Sequence, residues 1–219
     1  VQDDSNTTPV GVTSSSRPKP LTFKTHIHNL LKQTQVGFNL AGVTCEQLDV
    51  SLKIMLEKIS DQARILTRDN KHQTITVKEV SAAIELMFPA AFNQMALVKC
   101  REAVEKYLNT FYNKDGDQSR AKANRAGIHF PPHICEKYLR QHNSSSLSVS
   151  ETAPVFLAAL LDVISTRVLT SAKEKAEEGK KKTINTRHLF LGIHLDPELS
   201  IIFNTFGVHI VGGGVVPGI

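Results

Sequence analysis

Asn70-Lys71-His72-Gln73-Thr74-Ile75-Thr76 and Gly179-Lys180-Lys181-Lys182-Thr183-Ile184-Asn185-Thr186 are two copies of one device, set about 109 positions apart. In each copy a long amphipathic helix reaches a cap residue and a basic loop follows. A short Thr-Ile-polar strand then leads into a short helix, Val77–Met87 in the first copy and Arg187–Ile193 in the second. A unit repeated in this way implies two half-folds that complete each other. It also implies two basic loops placed against one polyanion.

Working outward, the first long helix is expected over Cys45–Arg68. Leu48, Leu52, Met55, Leu56, Ile59, Ala63 and Leu66 recur at steps of three and four and make one apolar stripe. Thr44 and Gln47 suit a capping box, with Val43 and Leu48 as its hydrophobic staple. Asp49 and Lys53 suit an i,i+4 pair on the wet side. At ~1.5 Å per residue this helix is roughly 36–40 Å long, too long to cover its own stripe without a second unit. The second copy supplies one. Thr152 is its cap and Pro154 lies in its first turn. Val155, Ala158, Leu161, Ile164 (or Val163), Val168 and Leu169 carry its apolar face, and Gly179 stops it.

Shorter helices precede each long one, at Phe23–Lys32 and Pro132–Gln141. Beyond the loops, Thr76 with Glu79 forms a capping box, and Asn185 or Thr186 caps the helix from Arg187. An additional helix runs from Pro89 to about Phe111, with Phe92, Ala96, Cys100, Ala103 and Tyr107 on one side. The polar run from Asn113 to Ser119 reads as a linker. The stretch from Val208 onward is apolar, Gly-rich and extended.

Composition narrows the function classes. A chain of 219 residues can bury a real core. A net charge of +5 and a pI near 9.1 permit a polyanionic partner. Sparse aromatics and the absence of Trp argue against a stacking platform for sugars or single strands. Cys45, Cys100 and Cys135 have no framework spacing and read as reduced, intracellular thiols. No 18-residue apolar run suggests a membrane span. Nor does a signal-peptide pattern open the chain, whose start at Val1 suggests a trimmed N-terminus. Residues 1–20 are Ser/Thr/Pro-rich, and 1–22 reads as a disordered tail.

Two runs of short, long and short helices joined by two loops resemble the histone fold. In the first half, Leu30-Leu31-Lys32-Gln33, Asn70-Lys71, Thr74-Ile75-Thr76, Pro89 and Ala103-Val104-Glu105-Lys106-Tyr107 resemble histone 2B. In the second half the resemblance is to histone 2A. It rests on Arg125-Ala126-Gly127-Ile128-His129-Phe130-Pro131, Ala153-Pro154-Val155-Phe156-Leu157-Ala158-Ala159 and Arg187-His188-Leu189. The docking tail Gly213-Gly214-Val215-Val216-Pro217-Gly218-Ile219 completes it. Two such histones in one chain are similar to the histone doublets of large DNA viruses.

The resemblance implies an all-α chain in which two histone folds make an intramolecular head-to-tail handshake. Its expected parts are a tail (1–22), a 2B-like fold with its C-terminal helix (23–112), a linker (113–122), a 2A-like fold (123–207) and a docking tail (208–219). The short linker makes the pairing intramolecular. The implied role is structural packaging of a double-stranded DNA genome, viral if the doublet resemblance holds, located in chromatin, or in the virion and host nucleus or viral factory. The implied partners are a histone 3/histone 4-type pair or its fused doublet, and a second copy of this chain.

Histones hold the DNA backbone through helix N-termini, main-chain N–H groups and inserted arginines. The candidates carried over are Lys71, His72 and Thr74 in one loop and Lys180, Lys181, Lys182 and Thr183 in the other. Arg125 and Arg140 join them near the 2A-like first helix, with Arg17 and Lys19 in the tail. Groove-inserting arginines of the 2A family are replaced by Ile134, Ser148 (or Leu147) and Thr183, and the 2B-type loop carries His72. Looser DNA wrapping than in a cellular nucleosome is therefore expected. An acidic patch is reduced to Asp162, Asp196 and Glu198, with Arg167, Thr170, Ala91 and Lys99 at its other positions. Arg187 and Asp196 are expected to clamp loop against short helix. Gly213, Gly214, Val216, Pro217 and Ile219 form the docking tail.

Other constellations carry less. His26 and His28 lie on different helix faces, and His129 and His133 lack a third ligand, so no metal is expected. The Gly212–Gly214 run lacks the Lys-Ser/Thr of a phosphate loop. No catalytic spacing is present, and neither enzyme activity, cofactor, small-molecule substrate nor membrane is expected. The competing reading is a histone-fold platform for protein assembly, in a transcription or other complex, that does not wrap DNA.

Overall fold

The computed structural model describes residues 21–112, 121–141 and 147–214. Among these, helices dominate: α1 (Lys24–Thr34), α2 (Gly42–Asp69), α3 (Val77–Met87), α4 (Ala90–Tyr112), α5 (Lys122–Ala126), α6 (Pro132–Arg140), α7 (Ala153–Glu178), α8 (Thr186–Leu195) and α9 (Pro197–Thr205). Four two-residue strands punctuate them: β1 (Asn39–Leu40), β2 (Thr74–Ile75), β3 (Ser148–Val149) and β4 (Thr183–Ile184).

The strands decide how the chain closes. β1 pairs in parallel with β4, Asn39 opposite Thr183 and Leu40 opposite Ile184. β2 pairs in parallel with β3, Thr74 opposite Ser148 and Ile75 opposite Val149. The strand before each long helix therefore meets the strand after the other long helix. Ladders this short are marginal alone, so helix packing must hold them in register.

That packing uses the expected stripes. Leu48, Leu52, Met55, Leu56, Ile59 and Ala63 of α2 are fully buried. So are Val155, Ala158, Leu161, Ile164, Val168 and Leu169 of α7. Complete burial of such a side chain contributes about 1.5–3 kcal/mol. α7 is touched by α1, α3, α4, α6 and α8, which is why its N-terminal half, from Ala153 to Leu161, is buried on every side. By length and hydropathy it alone among the described helices is apolar enough to cross a membrane, although the sequence showed no such run. Its apolar residues instead fill the core. On α4, Phe92, Ala96, Cys100, Ala103 and Tyr107 all face inward, as their spacing predicts. Gly192 lets α8 approach α7 so closely that a Cβ there would lie 2.7 Å from the Ala172 nitrogen.

Several local expectations are overturned by contacts across the fold. α2 begins at Gly42, with Ala41 as N-cap and no side-chain cap. The Ala41 N–H donates to Ile184 O at 3.0 Å, so the β1–β4 ladder sets where the helix starts. Thr44 then lies buried against Thr186, 3.3 Å between hydroxyls, and Gln47 Nε2 donates to Val211 O at 2.7 Å. Val43 is 62% exposed and staples nothing. Asp49 is not on a wet face. It is buried, accepting the Phe23 N–H at the head of α1 (2.6 Å) and pairing with Lys53 (2.7 Å). Thr152 occupies its N-cap position without a side-chain bond; Ser150 Oγ accepts the Ala153 N–H at 3.3 Å instead.

α9 is an element beyond those the spacing predicts, although its signal is local. Asp196 accepts from the Glu198 and Leu199 N–H groups at 3.0 and 3.1 Å, and Pro197 fills the first helical position. α5 likewise begins at Lys122, the last residue of the segment read as linker, whose residues 113–120 lie outside those described.

Candidate nucleic-acid interface

The two basic loops share one backbone. α2 is C-capped by Asn70 and α7 by Gly179, and the next residue in each case, Lys71 (φ 57°) or Lys180 (φ 53°), is left-handed. Around Lys71, its N–H bonds to Arg68 O and that of His72 to Thr67 O, at 2.8 and 2.9 Å. Around Lys180, the matching bonds run to Glu177 O and from Lys181 to Ala176 O, both at 2.8 Å. These are paired C-terminal caps of the Schellman type. Gly179 is the C-cap, as expected, but the left-handed residue of the cap is the next one. Gly179 keeps an ordinary φ of −80°, and a lysine takes the conformation that favours glycine.

This turn projects Lys71 and Lys180 into solvent and sends the chain directly into its strand. Lys180, Lys181, Lys182 and Thr183 are exposed. Lys182 O accepts the Asn39 N–H at 2.9 Å, so the Lys-rich loop lies against the loop between α1 and α2. On the other side the Ser148 N–H donates to Gln73 O at 2.8 Å and places β3 beside Thr74. Asn39 and Ser148 thereby join the edge. Their inclusion depends on register across about 75 to 145 residues, which no local pattern reveals.

Each loop is followed by a capped helix. Thr76 and Glu79 make the expected box on α3, with Thr76 N–H to Glu79 Oε2 at 2.8 Å. Burial pushes the Glu79 carboxyl up, but hydrogen bonds from Thr76 and His72 outweigh it and hold it at about 2. His72, the expected weak DNA contact, is thus turned toward Glu79 at 2.9 Å. In α8 Asn185 is the cap and His188 the reciprocal partner; its Nδ1 accepts the Asn185 N–H at 3.3 Å.

The arginines are more occupied than the lysines. Arg125, in α5, lies 4.7 Å from the centroid of the Tyr107 ring and reaches its hydroxyl at 3.4 Å. Tyr107 also donates to Glu151, and burial followed by that carboxylate raises the phenol to about 12. Arg140, in the last turn of α6, pairs with Glu136 at 2.9 Å. Of the arginine-replacing positions, Ile134 is buried in the core, Ser148 is in β3 and Thr183 in β4. Arg17, Lys19, Val216, Pro217 and Ile219 lie outside the described residues.

The expected clamp is divided into two. Asp196 takes the Arg167 guanidinium, Nε at 2.9 Å and Nη2 at 3.2 Å, and Arg167 Nη1 also reaches Glu198 at 2.8 Å. Burial acts against the Asp196 charge, but Arg167 and the α9 N–H groups hold its carboxyl below the ordinary range. Arg187 instead donates to Gly213 O at 2.6 Å, next to Gly214 in a left-handed conformation. Gly213 is seated on Phe190 so tightly that a Cβ would lie 2.3 Å from that ring. The third residual acid, Asp162, faces His129. It opens onto a cavity of about 620 Å³ bounded by α4, α5 and α7, whose wall also carries Lys99, Lys106 and Arg167. All three cysteines are free and buried, and burial raises each thiol. Among the described residues no cluster of His, Cys, Asp or Glu has metal-binding geometry.

No family model matches the chain. Among solved structures it resembles the crystal structure of the histone from Methanopyrus kandleri, at a TM-score of 0.52 and 15% identity, over 80% of this chain and 96% of that one. That likeness establishes a histone-type fold. In sequence it is similar to a probable histone 2A.5 of Arabidopsis thaliana, 39% identical over 108 residues, which is 48% of this chain and 70% of the relative. With that share of a 2A histone matched at that identity, the chain belongs to the histone 2A family.

Proposed function

We propose that the chain is two histone folds in one polypeptide, 2B-like over 23–112 and 2A-like over 123–207, that pair with each other and package duplex DNA. The observation that carries this reading is the cross-pairing of the strands. β1–β4 and β2–β3 each set a basic loop of one half beside an entry loop of the other, making two composite, lysine-bearing edges. Backbone N–H groups, the Thr74 and Thr183 hydroxyls and the loop lysines suit phosphates, so binding without sequence preference is expected. In this reading the chain is a non-enzymatic chromatin component. It assembles with a histone 3/histone 4-type pair, or its fused doublet, and with a second copy of itself. The docking tail, begun by Arg187 on Gly213, faces that partner. Fusion of the two halves favours a viral genome as cargo.

Nuclease digestion of the chain reconstituted on DNA, with and without the histone 3/histone 4-type partner, tests this. A discrete protected length that requires the partner supports wrapping. A stable protein complex that protects no DNA supports an assembly platform instead. With two arginine positions occupied by Ser148 and Thr183 and a third buried as Ile134, the particle should dissociate at lower salt than a cellular one. Equal salt resistance refutes the looser grip.

A further inference from the structure

His129 lies in the turn before α6 and touches both halves of the chain. Its Nδ1 is 3.2 and 3.1 Å from the two carboxylate oxygens of Asp162 on α7. Its Nε2 is 2.5 Å from Gln33 Oε1 on α1. The backbone of the same residue is tied at both ends. Its N–H donates to Asp162 Oδ2 at 3.4 Å, and its carbonyl accepts from His26 Nδ1, also on α1, at 2.9 Å. An ionised carboxylate and an amide oxygen only accept hydrogen bonds. A ring that meets one at each nitrogen makes both bonds only when doubly protonated. With one proton gone, the Gln33 arm survives only if that amide turns over.

We propose that His129 is a proton-operated latch between α1 in the first half and α7 in the second. It is closed while its ring is doubly protonated and Asp162 is ionised, and it loosens on either side of that window. On the alkaline side the Gln33 arm breaks in the orientation seen, because the bare Nε2 and Gln33 Oε1 are then two facing acceptors. On the acid side the groups facing the latch turn against it. α1 presents His26, where burial resists the charged form, and α6 presents His133, which with His129 disfavours charge on His26. Once these imidazoles take protons, His26, His129 and His133 carry like charges that oppose one another. The Asp162 carboxylate is itself held above the ordinary aspartate range by burial, against the pull of His129, so its charge is lost early in acid. α4 presents Cys100 behind Asp162, its thiol raised to about 12 by burial and so uncharged. Lys99, Glu102 and Lys106 of α4 and Arg167 of α7 stand around the same cavity. A latch of this kind ties the two halves according to pH, independently of any DNA contact.

Hydrogen exchange followed by NMR on the full, DNA-free chain, from about pH 4.5 to 8.5, spans the titration of an imidazole. Protection of α1 amides, taken relative to α2, should pass through a maximum and fall by about fivefold on each side, the loss of one net hydrogen bond. His129→Gln should flatten that profile. Gln33→Ala, at an exposed position, should abolish only the alkaline fall. A flat or monotonic profile in the unaltered chain overturns the latch, as does an unchanged maximum in His129→Gln. If His129→Gln fails to fold, an alkaline fall that persists in Gln33→Ala overturns it equally.

Discussion

Lys180→Gly and Lys180→Ala should separate the two roles of the residue at the turn of the second loop. Lys180 adopts φ 53° because the paired cap requires a left-handed residue there, not because lysine favours it. That conformation costs an L-residue roughly 1–2 kcal/mol. Glycine removes the strain but adds roughly 0.5–1 kcal/mol of unfolded-state entropy. Lys180→Gly should therefore stabilise the chain by about 0.5–1 kcal/mol. Lys180→Ala keeps its Cβ in the same strained turn and should stay within about 0.5 kcal/mol of the parent. Both variants remove one loop cation, so both should lower the slope of log K against log salt for duplex DNA by about 0.9. Urea unfolding and DNA titrations at several salt concentrations measure the two effects separately. A Gly variant less stable than the parent, or an Ala variant that gains as much, refutes the account of the turn. An unchanged salt slope in both variants refutes the DNA contact.

Three further outcomes are expected. Gly192→Ala would put a Cβ within 2.9 Å of the α7 backbone at Ser171 and Ala172, so it should cost about 1–3 kcal/mol as the helices part; an unaltered urea midpoint would contradict the close approach. Burial, with Lys181 adding and a bond to Thr183 opposing, holds His188 below the ordinary imidazole value of about 6.5, so as pH falls the unfolded chain takes the proton first. Stability present above pH 6.5 is lost below it, and His188→Gln should make the urea midpoint change less between about pH 7 and 5; an equal fall in the variant would exclude His188 as a source. Finally, Arg167→Ser frees the carboxylates of Asp196 and Glu198, and should raise the affinity of an arginine-anchored peptide about tenfold, the effect of uncovering one charge pair. Calorimetry showing no gain would mean that Arg167 does not mask the patch.

What the sequence made legible was whatever its neighbours within four residues decide. The α3 box needs only Thr76 and Glu79, and the buried face of α4 needs only a spacing of three and four. Local reasoning failed where a partner lies far along the chain. Thr44 and Gln47 form a plausible capping box until Ile184 and Val211 claim that end of α2. Asp49 looks like half of a surface pair until the Phe23 N–H makes it the buried anchor of α1. Arg187 and Asp196 look like mutual partners until α7 brings Arg167 between Asp196 and Glu198. α9 is the exception. Its Asp-Pro-Glu start is a purely local signal, with Asp196 capping and Pro197 in the first turn.

The distribution of ion pairs also bears on which candidates can meet a phosphate. Acids outside the loops are largely satisfied within the chain: Glu46 by Lys24, Asp49 by Lys53, Glu136 by Arg140, and Asp196 with Glu198 by Arg167. Among the described residues no ion pair involves Lys71, Lys180, Lys181 or Lys182. These four are therefore available without breaking anything, whereas Arg125 would have to leave Tyr107. Arg140 stands between the two cases, because an exposed pair such as that with Glu136 is worth only about 0–1 kcal/mol and exchanges readily for a phosphate. Four free lysines correspond to a salt slope of roughly 3.6 per chain if each meets a phosphate. Lysines without an ion pair also lie elsewhere among the described residues, Lys32 and Lys137 for example. What distinguishes the loop four is that they gather at the two edges where the halves meet, which is where a grip on DNA needs them.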